Sequence, residues 1–382
     1  LSGGSAIYAP VYGTGLGHAY RTAATLRSLA SDGHIALASS WGEGLRYLES
    51  AGIPCLEVPE LDVLWGDEGK MRFKDTLRNM TAPFVRVAHQ LEVEGRIIDS
   101  VRPSVVLSDS RLTPILAAKR RGLRSALMLN QARIMAPRAL GIARAAIEVP
   151  PAQILGSMWS AADLVIVPDL PPPYTVAEEQ LRAIPQIRGK LRFAGFPVEA
   201  CRGQPTWSPP RRPFALFAIS GPEETKRPAL LKSISAARIL GGRGWSALIS
   251  AARPGSSGTP VAIGDGVYLC EWCECIDQYI EMSDIVVARA GHTTVGKIIY
   301  YGKPGVLMPI PFHGEQESNA LKAERMGIAK AILRSDMISG VELADAVEST
   351  ASDGAGPAAR ISGLARSMDF AELSASAVEE LL

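Results

Sequence analysis

Short apolar runs alternate along the chain with segments whose apolar residues recur at three- and four-residue spacing. The runs predict strands at 6–11, 35–39, 55–58, 105–108, 125–129 and 164–167, and the helical spacing predicts helices at 20–31, 44–51 and 113–121. Pro171-Pro172-Pro173 interrupts the pattern, and so does 204–213, where four of ten residues are proline. Proline lacks the amide proton that a helix or central strand uses, so 204–213 reads as a stiff linker. Alternation then resumes, with strands at 214–219, 246–249, 267–269, 284–288 and 305–309 and helices at 228–239 and 294–301. A last helix, about 372–382, is rich in Ala, Leu and Glu. Strands alternating with helices build βαβ units and parallel sheets, so the fold class is α/β. The expected organisation is an N-terminal domain over 5–203, the linker 204–213, a C-terminal domain over 214–370, and a helix over 371–382 in a position to pack across the two.

At 382 residues the chain exceeds the ~100–200 residues of a single typical domain, in keeping with two. Its 40 basic and 39 acidic side chains leave a net charge of +1, which supplies no global field to attract nucleic acid. No run approaches the ~18–20 apolar residues of a membrane span. Leu1-Ser2-Gly3-Gly4 lacks the charged-then-apolar layout of a signal peptide and reads as a trimmed start. The five cysteines are few and unevenly spaced, which argues against a disulfide framework and fits a reducing cytoplasm. Cys270, Cys273 and Cys275 cluster. As zinc ligands they lack a nearby fourth member, His292 being the nearest histidine; as small hydrophobes they close a buried strand. The stretch 61–91 is less regular, and its Trp65, Met71, Phe73, Met80 and Phe84 suit satellite core, a pocket wall or a membrane contact. Lys119-Arg120-Arg121 and Arg211-Arg212 lie beside apolar residues, either as solvated faces or as contacts to an anionic membrane surface.

The residues with chemical potential stand at the ends of predicted strands. Gly13-Thr14-Gly15-Leu16-Gly17-His18 follows the first one. Glycine permits a sharp turn and a close backbone approach to a ligand. The spacing is tighter than G-x-G-x-x-G, and Glu43 is a poor substitute for the ribose-binding acid, so a nicotinamide cofactor is disfavoured. His18 is either a helix-capping side chain or a general base. Asp109 either orients that imidazole or caps the helix that begins near Thr113. A denser set follows strand 284–288: Arg289, Gly291, His292, Thr293 and Thr294 open a helix. Its free amides, two hydroxyls, imidazole and guanidinium suit a diphosphate; simple threonine capping is the plainer alternative. Ser220-Gly221 after strand 214–219 makes another phosphate-facing turn. In the loop 309–319, Glu315 and Gln316 offer partners for sugar hydroxyls, or else form a solvated entry to a helix.

Taken together these motifs resemble the GT-B glycosyltransferases. They are most similar to the group of the peptidoglycan N-acetylglucosaminyltransferase (MurG), the plastid galactolipid synthases and the UDP-glycosyltransferases, in a branch of uncharacterised archaeal-type proteins. The resemblance spans nearly the whole chain and is strongest over 272–320. It implies the GT-B fold, two Rossmann-like domains with an interdomain cleft. It implies that His18 deprotonates the acceptor hydroxyl with Asp109 as its partner, and that Gly13, Thr14, Gly15 and Gly17 form the acceptor and phosphate loop. Gly291, His292, Thr293 and Thr294, with Arg289, would hold the donor diphosphate, bordered by Ser220 and Gly221. Glu315 and Gln316 would contact the sugar hydroxyls, Asn319 would close that motif, and the backbone near Cys273 would meet the nucleobase. The family commonly has a ribose-binding Glu where this chain has Lys297, and a cation accepts no hydrogen bond. Either the ribose is held differently, or the donor is not a standard UDP-sugar, or Lys297 reaches an extra phosphate.

The implied activity is inverting, metal-independent transfer of a hexosyl group from a nucleoside-diphosphate sugar, with a UDP-sugar favoured, to a hydroxyl of a lipid-linked or glycan acceptor. The nucleotide sugar is the substrate, and no cofactor or metal is expected. The implied location is cytoplasmic, with the inner face of the cell membrane as a peripheral contact. Two other classes stay open. One is a GT-B sugar-nucleotide epimerase, for which no acidic set stands near the first site. The other is a non-catalytic nucleotide-sugar-binding protein.

Overall fold

Parallel strands need cover on both faces, and the apolar runs of this chain find it. The computed structural model describes residues 4–60, 81–182, 185–198, 205, 207–221, 223–253 and 255–382. Trp65, Met71, Phe73 and Met80, and the side chain of Phe84, lie outside the described residues. The N-terminal strands are β1 (Ala6–Pro10), β2 (Ile35–Ser40), β3 (Cys55–Glu57), β4 (Val105–Asp109), β5 (Arg124–Met128), β6 (Leu164–Val167) and β7 (Leu191–Phe193). They form one parallel sheet in the order β3-β2-β1-β4-β5-β6-β7. The C-terminal strands are β8 (Phe214–Ala218), β9 (Ser246–Ser250), β10 (Val261–Gly264), β11 (Val267–Cys270), β12 (Ile285–Ala288), β13 (Gly305–Leu307) and β14 (Ala329–Ala331). Their sheet runs β10-β11-β9-β8-β12-β13-β14 and is parallel except for the edge hairpin β10–β11.

Both sheets are doubly wound and Rossmann-like. The strand order reverses between β1 and β4 in one and between β8 and β12 in the other. Sheets of this kind bind ligands outside the carboxyl ends of the strands at that reversal. The loops after β1 and β4 carry the His18 and Asp109 region, and the loops after β8 and β12 carry Ser220-Gly221 and Arg289–Thr294. The topology thus gathers the chemistry-bearing residues of each sheet at its own switch point.

The chain divides into two compact units. The first comprises Leu1–Ile134, Ala145–Pro197 and Met368–Leu382; the second comprises Met135–Arg144 and Val198–Ser367. The C-terminal helix Phe370–Glu379 returns to the first unit. Asp369 caps it, accepting from the Glu372 amide, and it inserts Phe370, Ala375, Ala377 and Val378 into the core around β1, β4 and the helix Leu16–Ser31. The Ser374 and Thr25 hydroxyls meet at 2.7 Å. Residues 207–213, expected as a spacer, are docked in the second unit. The Trp207 ring lies 4.9 Å from Tyr268 and 5.7 Å from Phe214, and Arg211 donates to the carbonyls of Gly241 and Trp245 and to the Asp265 carboxylate. Proline content announces stiffness; it does not reveal what a stiff segment leans on.

One buried polar network ties the helix Thr81–Val101 to the first sheet. Glu94 on that helix pairs with Arg111, both fully covered. The Tyr8 hydroxyl donates to Glu94 Oε2 at 2.6 Å and meets Ser39 Oγ at 2.7 Å, and Arg111 also donates to Ser39 Oγ. Burial first, then the charge of Glu94, push the Tyr8 hydroxyl far above the ordinary phenol range. Removing one member of a buried ion pair strands the other charge. Glu94→Ala is therefore expected to lower unfolding free energy by about 3–5 kcal/mol. Denaturant unfolding checks this, and a loss below about 1 kcal/mol, the worth of an exposed pair, contradicts it.

Cys275 is disulfide-bonded, whereas Cys55, Cys270 and Cys273 are free thiols. The cysteine spacing, which argued against a disulfide framework, did not single out Cys275, because spacing along the chain does not say which thiols folding brings together. Among the described residues, no group of three or more His, Cys, Asp or Glu is arranged to hold a metal ion, and no helix is long and apolar enough to cross a membrane.

Candidate active site

In the first unit, the loop after β1 owes its glycines to two different causes. A Cβ on Gly13 would stand 2.4 Å from the Trp41 carbonyl oxygen, so Gly13 makes room for Trp41 and not for a ligand. Gly15 caps the helix Leu16–Ser31 at φ 80°, a left-handed conformation that favours glycine, and nothing lies within 4 Å of where its Cβ would be. Thr14 is exposed and Gly17 half-buried in the first turn. No side chain caps this helix start, so its first amides remain available.

The same helix aims His18 at the end of β4. His18 Nδ1 lies 2.8 Å from Asp109 Oδ1; the imidazole is 26% exposed and the carboxylate fully buried. Arg21, one turn further on, grips the carboxylate with two prongs, Nε to Oδ2 at 2.6 Å and Nη2 to Oδ1 at 2.5 Å. Thr22 Oγ1 donates to Oδ2 at 3.0 Å, and Arg21 Nη1 donates to Asn130 Oδ1 at 2.9 Å. Burial alone would raise the Asp109 carboxyl; the charge of Arg21, then that of His18, and the hydrogen bonds from both hold it well below the usual carboxylate range. Tyr12 sets its ring edge-on to His18 at 5.3 Å and to Trp41 at 5.2 Å, walling the imidazole on one side. Arg21, Thr22 and Asn130 were not read as site residues from the sequence. The i, i+3 spacing of His18 and Arg21 was the available signal, since it puts both on one helix face.

In the second unit, Gly291 caps the helix His292–Tyr300 with φ −65° and ψ 140°, without a side-chain cap hydrogen bond. Nothing stands within 4 Å of its would-be Cβ. Neither backbone strain nor packing demands glycine here, so the open space lies directly before the first amides of the helix. Thr293 and Thr294 are half-exposed beside it and His292 is buried. Arg289 behaves differently from a phosphate ligand. It is buried, donates Nη1 to the carbonyls of Met308 and Pro309 at 2.9 and 3.2 Å and Nη2 to that of Thr225 at 2.7 Å, and is pulled down to about 10 by burial. It fastens the loop after β13 to the segment after β8.

Asn319 Nδ2 donates to the Ala290 carbonyl at 3.0 Å and so holds the turn before the helix. Gln316 Oε1 accepts from the Ile310 amide at 3.0 Å, while Glu315 is half-buried on the first turn of the helix Gly314–Arg325. Ser220 and Gly221 are exposed, Gly221 at φ 115°. The Cys273 thiol is buried and pushed up to about 12, chiefly by that burial. Lys297 Nζ is paired with Asp277 Oδ2 at 2.8 Å, both largely covered. Ser110, Ala252 and Phe312, at φ 57°, 49° and 61°, are non-glycine residues in the left-handed region. They follow β4, β9 and β13 at the carboxyl edges of the sheets. Strain of this kind, about 1–3 kcal/mol each, concentrates at ligand sites.

Residues 263–373 match the model of the glycosyltransferase family 28 C-terminal domain. An uncharacterised glycosyltransferase of Methanosarcina acetivorans is 27% identical over 339 residues, 84% of each chain. The UDP-N-acetylglucosamine--N-acetylmuramyl-(pentapeptide) pyrophosphoryl-undecaprenol N-acetylglucosamine transferase of Thermotoga neapolitana is 42% identical over 72 residues, 18% of this chain and 20% of that protein. Among solved structures, the calicheamicin glycosyltransferase CalG4 matches with a TM-score of 0.74, over 99% of this chain and 98% of that one at 17% identity, a likeness of fold. The protein is a GT-B glycosyltransferase of this group. The glycosyltransferase therefore carries a partly exposed His paired with a buried Asp on one Rossmann-like unit and a helix start without a side-chain cap on the other. Of the residues singled out in its sequence, His18 and Asp109 are in contact; Gly291, Thr293 and Thr294 share the open helix end; Arg289, Gln316 and Asn319 brace the surrounding loops.

Proposed function

We propose that the enzyme moves a hexosyl group from a nucleoside-diphosphate sugar to a hydroxyl of a lipid-linked or glycan acceptor with inversion at the anomeric carbon. His18 Nδ1 bonds to Asp109, which leaves Nε2 for the acceptor. As the acceptor oxygen attacks the anomeric carbon, its proton passes to Nε2. The bond from that carbon to the diphosphate oxygen breaks, and the nucleoside diphosphate departs with the bonding pair. A single displacement of this kind inverts the centre. The free amides of Thr293 and Thr294 and the positive end of their helix stabilise the charge that develops on the leaving group, so the chemistry calls for no metal or cofactor. The observation that carries the reading is the helix start at the β8/β12 switch point, left open where neither strain nor packing requires glycine. The UDP-N-acetylglucosamine in the name of the Thermotoga neapolitana relative supports a UDP-sugar as donor, and its undecaprenol supports a lipid acceptor.

The test is to incubate the protein with a panel of nucleotide sugars, with and without lipid-linked and glycan acceptors, and to follow nucleoside diphosphate release. Release that requires an acceptor and survives EDTA is expected. Epimer formation without release, or tight binding without turnover, contradicts transfer.

A further inference from the structure

We propose that Arg21 is a positioning residue for proton transfer at His18, holding the Asp109 carboxylate charged and in the one orientation that faces the imidazole. The proposal deepens the transferase reading and rests on His18 as its base.

The geometry distinguishes this role from simple charge neutralisation. Oδ2 of Asp109 is filled by Arg21 Nε and Thr22 Oγ1, and Oδ1 is shared between Arg21 Nη2 and His18 Nδ1. The carboxylate cannot rotate without losing one of these bonds. Arg21 is itself fixed at its far side by Asn130 and by Ser110 Oγ, 3.2 Å from Nη2. One turn of a single helix thus carries the base and the group that orients the base's partner. Arg21 Nη2 also stands 3.1 Å from His18 Nδ1. A guanidinium only donates. Left alone with the imidazole it would donate to Nδ1 and place the ring proton on Nε2, the tautomer that cannot accept a proton at Nε2. The charged Oδ1 at 2.8 Å reverses that preference, because only a protonated Nδ1 bonds to it.

Arg21 and His18, both from the helix Leu16–Ser31, are the titratable groups acting on Asp109, Arg21 as a permanent cation and His18 as one only when protonated. Thr22, Ser110 and Asn130 complete the surroundings and are uncharged. Tyr12 faces the imidazole with its ring edge, and the neighbouring charged pair, Glu94 and Arg111, is closed on Tyr8 and Ser39. Burial would raise the Asp109 carboxyl, and the Arg21 charge is the larger of the two that oppose it. Without Arg21 the carboxylate takes up a proton at higher pH, releases Nδ1, and the base is lost from the acid side.

The experiment compares wild type, Arg21→Gln and Arg21→Lys by kcat, by KM for donor and acceptor, by the pH profile of kcat/KM, and by the ¹⁵N shifts of the His18 ring. Arg21→Gln is expected to lower kcat by about 10–100-fold with both KM values within about threefold, and to move the acidic limb of the profile to higher pH. Arg21→Lys restores the charge but not the two prongs, so the limb stays at its wild-type position and kcat recovers only in part. The wild-type ring carries its proton on Nδ1. An unmoved acidic limb in Arg21→Gln, or a kcat loss matched by a rise in KM, overturns the proposal. If Arg21→Gln does not fold, Arg21→Lys and the ring spectrum decide: a wild-type imidazole protonated on Nε2 overturns it. Full activity in His18→Ala would sink the base reading alone, because the ring shifts of wild type and Arg21→Lys still report the hold of Arg21 on the pair.

Discussion

Replacing His18 with alanine should reduce kcat/KM for sugar transfer by about 10²–10⁴-fold while nucleoside diphosphate affinity stays within a few-fold. An alcohol is a weak nucleophile at neutral pH, and its oxygen gains reactivity as its proton leaves. His18 is the imidazole that the fold presents at the β1/β4 switch point, partly open to solvent and backed by a buried carboxylate. The substitution removes a side chain that is not core, so the fold is expected to survive. The residues expected to hold the nucleotide belong to the other unit, which is why binding and turnover separate. Steady-state kinetics with calorimetric titration of the nucleotide checks both halves. Activity within tenfold of wild type removes His18 from the mechanism, and a matching loss of nucleotide affinity would mean that its role is binding.

Gly291→Asp should cost about 100-fold in nucleoside diphosphate affinity, roughly 2.7 kcal/mol, without lowering the melting temperature. The two outcomes have opposite causes. Aspartate is among the best residues to cap a helix, and its carboxylate favours the positive end of the helix dipole. The backbone at Gly291 is not left-handed and space is open where the Cβ would go, so folding has nothing to object to. The same carboxylate takes the amides of Thr293 or Thr294 and repels an incoming diphosphate. A stable variant that binds nucleotide like wild type would show that the diphosphate is held somewhere other than this helix end. A variant that fails to fold would show that the open space serves packing.

The strand–helix alternation was legible because buried parallel strands write themselves as unbroken apolar runs, and β1, β6, β8 and β12 fall within a residue of where those runs end. The contact between His18 and Asp109 was anticipated as one of two alternatives, since each stands where a strand ends. Arg21 was not. A basic residue within a helix reads as solvated, and its burial depends on Asp109 of β4, 88 positions on, and on Asn130, 109 positions on. Glu94 and Arg111 were missed for the same reason. Arg289 illustrates the converse: its type and position suit an anion, yet the side chain turns onto three carbonyls, and direction is not written in residue type. Lys297 likewise reads as a free cation until Asp277 is brought beside it. Gly13 and Gly291 look alike in sequence, but Trp41 fills the space above one and nothing fills the space above the other.

In the proposed transfer the amides opening the helix His292–Tyr300 receive the leaving diphosphate. A crystal structure with UDP bound decides this. Phosphate oxygens are expected within hydrogen-bond distance of the Thr293 and Thr294 amides, with Gly291 against the diphosphate. A diphosphate bound away from that helix end, with those amides still free, would contradict it.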